Sequence, residues 1–419
     1  MTKAGAESRR AAVAAMTSVT DRRQLLGFAL ERAAKALDPP GRARAGRLAT
    51  GALRWAARSD RMLGPFLQRM PEGRVMNLLR LALYEMFVEL ASAHAVVDQS
   101  VSLAPRGKTG LVNAVLRNVL RRGQDWDSLP LPDLPKWLRR RLVEAWGRDA
   151  VLAMEAEFAA GAKLDLTLRD SGDEGTWAQR LGAVLRPDGG LRLAEARQVS
   201  TLPGYADGAW WVQDAAAAVA ARVLDARPGE SVLDLCCAPG GKTMQLAASG
   251  AAVTALDVSS ERMARVEENL ARTGLAATCV VADALSWTSP GMFDAVLVDA
   301  PCTGTGTLRR HPDLVFVRDG SGIAELAGLQ AGLIDRALLS LRPGGRLVFC
   351  TCSLLPEEGE EQVVAALSRH PDLAIGTPDG DWIDKLWRTP GGMLRIRPDH
   401  WRERGGIDGF FVARLEKRQ

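Results

Sequence analysis

From Trp211 to the end of the 419-residue chain, short apolar runs alternate regularly with helical stretches, and this alternation constrains the fold more than any other feature. Such β/α alternation predicts a parallel, doubly wound sheet that binds its ligand at the carboxyl ends of the strands. The predicted strands are 231–237, 252–258, 278–284, 293–300 and 345–352, with 393–398 and 409–415 as closing strands, and the helices between them include 259–273 and 323–341. We therefore expect an α/β domain over residues 211–419.

The front of the chain follows a different pattern. Between Ala11 and Arg122, apolar residues recur at helical spacing, for example from Val75 to Leu90, which predicts an all-helical bundle. A stretch rich in Trp, Asp and Pro, 123–135, marks a linker. A helical segment over 137–160 and an irregular region up to Gly208 follow. The predicted domains are therefore a helical domain, 1–135, a connecting subdomain, 136–210, and the α/β domain, 211–419.

Charge is distributed unevenly between these parts. The chain has 54 basic and 50 acidic residues, a net charge of +4. Residues 1–141 carry 25 basic and 12 acidic side chains, whereas the remainder carries 29 and 38. A basic front half favours a polyanionic partner for the helical domain.

The six cysteines all lie in the back half, and the pairs Cys236/Cys237 and Cys350/Cys352 are too close in sequence for an ordinary disulfide framework. This pattern indicates reduced thiols and a cytoplasmic protein. We expect no metal centre, because the four histidines lack ligand spacing. No run of about 18 apolar residues occurs, so we expect no membrane segment.

A glycine-containing turn follows the first predicted strand and opens a helix. It spans Cys236, Cys237, Ala238, Pro239, Gly240, Gly241, Lys242 and Thr243. Glycines let a ligand approach the backbone, and a helix N-terminus offers N–H groups to an anionic group. A Walker loop requires a glycine where Cys236 stands, and the dinucleotide pattern G-x-G-x-x-G is absent. Taken alone, the turn therefore predicts either a site for another kind of ligand with an anionic group or a glycine turn that binds no ligand.

Three aspartates come at the ends of successive predicted strands: Asp257, Asp283 and Asp299. In such sheets a carboxylate after the second strand can accept both hydroxyls of a ribose. Asp283 is predicted to lie within reach of an adenine amino group. Taken singly, each aspartate could instead cap the next helix, which is the commoner role.

Two thiols are predicted to share this edge of the sheet. Cys302 follows the fourth strand and Cys352 ends the fifth, and these strands are neighbours in the usual order. Thiols beside a ribose site fit methyl transfer to C5 of a pyrimidine, because a thiolate that adds to C6 makes C5 nucleophilic. The spacing leaves open which thiol attacks. Cys279 and Cys350 are expected only to pack.

Several motifs, in this order, resemble those of the Nol/Nop/Sun family of RNA cytosine-5 methyltransferases. They are WWVQDAAA (210–217), LCCAPGGKT (235–243), DAPCTGTGTLRRHPD (299–313), LRPGGRLVFCTCSLLPEE (341–358) and IDGFFVARL (407–415). The segment 94–122 is similar to the end of a NusB-like RNA-binding domain, which the bacterial Sun/Fmu type that acts on 16S ribosomal RNA carries. The resemblance covers nearly the whole chain and implies a NusB-like helical domain followed by a Rossmann-like methyltransferase domain.

The resemblance also implies a cofactor and residue roles. The cofactor is S-adenosylmethionine, held by the turn Cys236–Lys242 and by Asp257, Arg262, Asp283 and Asp299. Asp299 is further implied to lie near the target base. The implied nucleophile is Cys352, and Cys302 is implied to assist product release.

The implied substrate is a cytosine of 16S ribosomal RNA in the small-subunit precursor. Separately, we expect the protein to be a monomer. Candidate phosphate contacts are Arg106, Lys108, Arg117, Arg121 and Arg122. Two alternatives stay open at this point: a cytosine-5 methyltransferase of transfer RNA, and a non-catalytic RNA-binding assembly factor.

Overall fold

The computed structural model describes residues 3–194 and 198–419, which form two compact units. The helical unit comprises the described residues up to Gly161 together with Leu308–Gly320. The sheet unit comprises the described residues of Ala162–Thr307 together with Ser321–Gln419. This division differs from the predicted three segments, because the helices of 136–160 and the remote segment 308–320 are both part of the helical unit.

The helices, in chain order, are α1 Lys3–Arg22, α2 Leu26–Ala33, α3 Pro39–Arg54, α4 Ala56–Leu63, α5 Gly73–Phe87, α6 Ala93–Leu103, α7 Thr109–Arg122, α8 Lys136–Trp146, α9 Arg148–Ala160, α10 Glu174–Leu181, α11 Ala215–Leu224, α12 Gly241–Ala248, α13 Ser260–Thr273, α14 Leu314–Val317, α15 Ile323–Ser340 and α16 Glu360–Arg369. The strands are β1 Leu164–Leu168, β2 Ala183–Leu185, β3 Leu191–Leu193, β4 Trp210–Val212, β5 Ser231–Leu235, β6 Ala252–Asp257, β7 Thr278–Val281, β8 Phe293–Asp299, β9 Leu341–Thr351, β10 Leu373–Gly376, β11 Leu394–Ile396 and β12 Phe410–Lys417. Among the residues described, no helix is both long and apolar enough to cross a membrane.

The helical unit confirms the predicted all-helical front. Its core is built from the apolar faces of α1 to α7. Burying a leucine or valine side chain stabilises the folded state by about 1.5–3 kcal/mol, so this core is the main stabilising element of the unit. Leu90 continues the apolar spacing of α5 in the sequence, but it is exposed because the helix ends at Phe87.

The predicted linker 123–135 contains no α-helix, as expected, yet it is not a free connection. Trp126 is buried and stacks on Phe87 of α5, with ring centroids 5.3 Å apart and an interplanar angle of 4°. The aromatic contact attaches the linker to the helical core.

The prediction of an irregular region before Gly208 is wrong. Strands β1 to β4 form an antiparallel sheet in the order β2-β3-β1-β4, with α10 joining β1 to β2. At its centre Asp165 is fully buried and binds Arg192, with Oδ1–Nε and Oδ2–Nη2 distances of 2.7 Å. The strands have three to five residues each and carry charges inside, which hides the alternating pattern.

The large sheet confirms the doubly wound prediction. Its order is β7-β6-β5-β8-β9-β12-β10, with β11 paired to β12. Strands β5 to β9 are parallel, whereas β12 runs antiparallel to β9 and β10. From β5 the chain adds β6 and β7 on one side of the sheet and then β8 and β9 on the other side. In sheets of this kind the ligand crevice lies where the strand order reverses, here beyond the carboxyl ends of β5 and β8.

Candidate active site

The turn after β5 stands at this crevice. Cys236 and Gly240 both have a positive φ, +60° and +97°, and at Gly240 only glycine adopts this conformation without strain. Helix α13 holds the turn from outside. Arg262 Nη2 donates to the carbonyl of Ala238 at 2.7 Å, and Asn269 Nδ2 donates to that of Pro239 at 3.2 Å. The turn is therefore fixed, with the N-terminus of α12 beside it.

Two of the three predicted aspartates make local backbone contacts. Asp257 is buried at the end of β6, accepts from the amide of Ser259 at 3.0 Å, and binds the amide of Ala238 at 3.2 Å. Asp283 lies two residues beyond the end of β7, is exposed, and accepts from the amide of Leu285 at 3.0 Å. Neither aspartate caps a helix: Ser259 is the N-cap of α13, and a turn rather than a helix follows Asp283. Their contacts with a ribose or an adenine stay predictions.

Asp299, at the end of β8, faces Lys242 in the first turn of α12. The Lys242 Nζ donates to Asp299 Oδ2 at 2.7 Å, and the Cys350 thiol lies 3.5 Å from Asp299 Oδ1. Burial by itself lowers the pKa of Lys242, but the carboxylate of Asp299 and other negative neighbours raise it overall. Lys242 therefore carries a positive charge that neutralises Asp299 at the crevice.

The two candidate thiols lie side by side, because β8 and β9 are adjacent and pair in parallel, Asp299 opposite Cys350. Cys302 Sγ and Cys352 Sγ are 3.4 Å apart. The hydrogen bond to Cys352, followed by burial, raises the pKa of the Cys302 thiol well above its ordinary range. Cys302 is therefore a neutral thiol that can donate to Cys352.

The other thiols are placed as packing residues. Burial raises the pKa of Cys236 to about 12, and burial also raises the pKa values of Cys237, Cys279 and Cys350. A raised pKa disfavours the thiolate, which is the reactive form. Among the described residues, no group of three or more His, Cys, Asp or Glu side chains is arranged to hold a metal ion.

Two acidic residues at the site carry no motif signal that the sequence analysis used. Asp234 in β5 is fully buried and accepts from Thr243 Oγ1 at 2.6 Å, and burial raises its pKa from 3.8 to about 7. Glu358, just after β9, is also fully buried and bonds to the segments of both thiols. Asp234 lies in a predicted strand just before one quoted motif, and Glu358 ends another, so only their burial, which the sequence does not display, distinguishes them from surface carboxylates.

The five candidate RNA contacts lie in the helical unit and are all exposed. Arg117 and Arg121 stand one turn apart on α7, held by Asn113 and Asn118 through side-chain hydrogen bonds of 2.9 and 2.7 Å. Arg106 and Lys108 precede α7, and Arg122 ends it. Their exposure makes them accessible to phosphates, and their binding to RNA stays a prediction.

The order of the large sheet, with one antiparallel strand beside the last parallel strand, is that of the Rossmann-like methyltransferases. The family model "16S rRNA methyltransferase RsmB/F" matches residues 221–416, and the NusB family model matches residues 6–121. The ribosomal RNA small subunit methyltransferase B of Pseudomonas putida is 34% identical, covering 98% of both chains. That of Pseudomonas syringae pv. tomato is 35% identical, covering 88% of both. The chain belongs to the ribosomal RNA small subunit methyltransferase B family.

Solved structures show the same fold. The protein titled PH0851 superposes with a TM-score of 0.76 over 98% of this chain and 99% of its own, at 23% identity. A methyltransferase homologue from Pyrococcus horikoshii has a TM-score of 0.57 at 26% identity, covering 72% of this chain and 98% of its own. The NusB match confirms the identity expected for the helical domain.

Proposed function

We propose that this enzyme transfers the methyl group of S-adenosylmethionine to C5 of a cytosine in 16S ribosomal RNA, through a covalent bond between Cys352 and C6. The observation that carries the proposal is the pair of thiols, 3.4 Å apart, at the carboxyl edge of a methyltransferase sheet. A single thiol could form an adduct, but a second one in contact with it suits the removal of that adduct.

The residues of the crevice fit S-adenosylmethionine. The turn Cys236–Lys242 presents a glycine backbone and a helix N-terminus, which suit the carboxylate of the cofactor. Asp257 and Asp283 would bind its ribose and adenine, with Arg262 supporting the turn. When bound, the cofactor supplies an electrophilic methyl group.

The chemistry of the chain then follows from Cys352. Its thiolate adds to C6 of the cytosine, forming an S–C6 bond and increasing the electron density at C5. After C5 has been methylated, loss of the C5 proton and cleavage of the S–C6 bond restore the aromatic ring. Asp299 would contact the target base, while the hydrogen bond from Lys242 orients its carboxylate.

Cys302 suits the release step. Its raised pKa keeps it as a thiol, and its Sγ lies next to the sulfur that must leave C6. A thiol donor there stabilises the negative charge that develops on the departing Cys352. The assignment of Cys352 as the attacker rests on the family resemblance, and the environment of Cys302 agrees with it.

The substrate follows from the relatives and from the helical unit. The relatives are named for the small ribosomal subunit, and the exposed basic residues around α7 can neutralise RNA phosphates. The target cytosine must be unpaired or flipped out to reach the crevice. We also expect the protein to be a monomer and to act in the cytoplasm. Sedimentation of the purified chain would measure its oligomeric state.

The test uses purified full-length protein with radiolabelled S-adenosylmethionine and two substrates, a 16S ribosomal RNA transcript and a transfer RNA transcript. The proposal expects 5-methylcytosine in digests of the 16S transcript alone. Methylation of the transfer RNA instead would show that the substrate is transfer RNA and not 16S ribosomal RNA. Failure to bind S-adenosylmethionine by calorimetry, with RNA binding retained, would favour a non-catalytic assembly factor.

A further inference from the structure

Glu358 lies at the centre of a hydrogen-bond network that reaches both thiol segments. Its Oε1 accepts from the amide of Thr303 at 2.9 Å, and its Oε2 accepts from the hydroxyl of Ser353 at 2.6 Å. The Thr303 hydroxyl also donates to Oε2. Thr303 follows Cys302 directly and Ser353 follows Cys352 directly, so one carboxylate bridges the two neighbours.

The residues that precede the thiols are held by the same group of side chains. Thr351 Oγ1, just before Cys352, donates to the backbone carbonyl of Glu358 at 2.9 Å. Gln330 of α15 donates through Nε2 to the carbonyl of Pro301, just before Cys302, at 2.8 Å, and to Glu358 Oε1 at 3.2 Å. Each thiol is thus fixed on both sides.

A backbone hydrogen bond also joins the segment that follows Cys302 to Cys352. The amide of Gly306 donates to the carbonyl of Cys352 at 2.9 Å. A Cβ at Gly306 would lie 2.8 Å from the carbonyl oxygen of Cys352, so the segment after Cys302 approaches that of Cys352 at a distance that only glycine permits. The separation of the thiols is therefore built into the packing of their segments.

The carboxylate of Glu358 has only neutral donors in these contacts: one amide, two hydroxyls and a carboxamide. A fully buried carboxylate is costly unless its oxygens are hydrogen-bonded, and here both are. After the hydrogen bond to Cys352 and burial, its charge further raises the pKa of Cys302. A neutral, well-placed thiol is the form that the release step needs.

We propose that Glu358 is a positioning residue that sets the separation of Cys302 and Cys352 and thereby the rate at which the RNA adduct is released. This inference rests on the proposed function of the two thiols. Glu358 touches neither cofactor nor base in this role, so its replacement should change turnover and leave the binding of both ligands intact.

The first measurement reports thiol geometry without RNA or cofactor. Phenylarsine oxide bridges two adjacent thiols: two As–S bonds form, and the oxygen leaves as water with the two thiol protons. Full-length Glu358→Gln should bind it at least about tenfold more weakly than wild type, because hydrogen bonds to a buried charged group are lost. Cys302→Ala serves as the negative control and Glu361→Gln, at an exposed site on α16, as the matched control.

The second measurement is turnover on 16S RNA. Glu358→Gln should lower kcat by about tenfold or more, leave KM for RNA and cofactor affinity within about twofold, and accumulate covalent RNA adduct on denaturing gels. Thr303→Val, which keeps the amide and removes the hydroxyl, should change both readouts in the same direction, and it carries the test if Glu358→Gln does not fold.

Wild-type arsenical affinity and wild-type kcat in a folded variant would overturn the inference. A variant with weakened arsenical binding but unchanged kcat would overturn the link to release. Failure of the proposed function is seen separately, as methylation retained by Cys352→Ala, because the arsenical measurement does not depend on the reaction.

Discussion

Cys302 and Cys352 place their sulfur atoms 3.4 Å apart at the ends of two adjacent parallel strands, β8 and β9. The two cysteines are 50 positions apart in the sequence, so their sulfur atoms are in contact only because the sheet order makes these strands neighbours. The geometry permits a division of roles in which one sulfur forms a bond to the base and the other assists its cleavage.

This division predicts opposite behaviour for two alanine variants. Cys352→Ala should abolish methylation and form no covalent RNA complex. Cys302→Ala should bind RNA covalently and release it slowly, giving a shifted band on a denaturing gel with turnover reduced by about a hundredfold or more. If Cys352→Ala forms the stable adduct and Cys302→Ala does not, the roles are reversed. Cys279→Ala is the matched control and should methylate normally.

Asp234 predicts a pH dependence of stability. Burial raises its folded-state pKa from 3.8 to about 7, so between about pH 4 and pH 7 the folded protein holds a proton that the unfolded chain has lost. Stability contributed by this proton is present at low pH and is lost as the pH rises through 7. The free energy of unfolding, measured with denaturant, should decrease less from pH 5 to pH 8 for Asp234→Asn than for wild type. The exposed Asp381→Asn should keep the wild-type difference, and an equal loss in all three proteins would contradict the assignment.

The buried ion pair of the small sheet predicts a large loss of stability on truncation. Asp165→Ala leaves Arg192 buried without its carboxylate partner, which costs about 3–5 kcal/mol of unfolding free energy. The unfolding transition of the full chain, followed by tryptophan fluorescence, should shift accordingly. The exposed Asp170→Ala should shift it by about 0.5 kcal/mol or less. A shift of similar size in both variants would show that the pair is not central to the subdomain.

The basic residues of α7 predict a change in the salt dependence of RNA binding. Replacing Arg117 and Arg121 by alanine removes two phosphate contacts, so the slope of log K against log salt should become shallower by about 1.4–1.8. The affinity should fall similarly for different RNA sequences. Arg32 and Arg69, both exposed in the same unit, provide a matched double variant. An unchanged slope for Arg117→Ala with Arg121→Ala would exclude this face of α7 from the RNA interface.

The sequence predicted those helices and strands whose apolar periodicity extends over enough consecutive residues to be recognised. The core residues of α5 and the apolar strands β5, β6, β8 and β9 display their periodicity directly. Strands β2 and β3 have three residues each, too few for alternation to show. Strand β10 was also missed, because Leu373–Gly376 carries only four residues after a Pro-Asp turn.

Long-range arrangements were beyond the sequence for a different reason. The segment Leu308–Gly320 begins inside the motif that contains Cys302, yet it forms part of the helical unit. There Asp313 Oδ2 accepts from the amide of Leu26 at 2.9 Å. Nothing in the local residues encodes a partner 287 positions away. Glu358 was quoted only as the end of a motif, since burial and a shared contact with two loops are properties of the folded chain.

The most direct test of the central claim is bisulfite sequencing of 16S ribosomal RNA from a strain lacking this gene, complemented with wild type or with Cys352→Ala. A methyl group at C5 protects cytosine from conversion. The account predicts one protected cytosine that is lost in the deletion strain, restored by wild type and not restored by Cys352→Ala. An unchanged 16S pattern in the deletion strain, or restoration by Cys352→Ala, would contradict it.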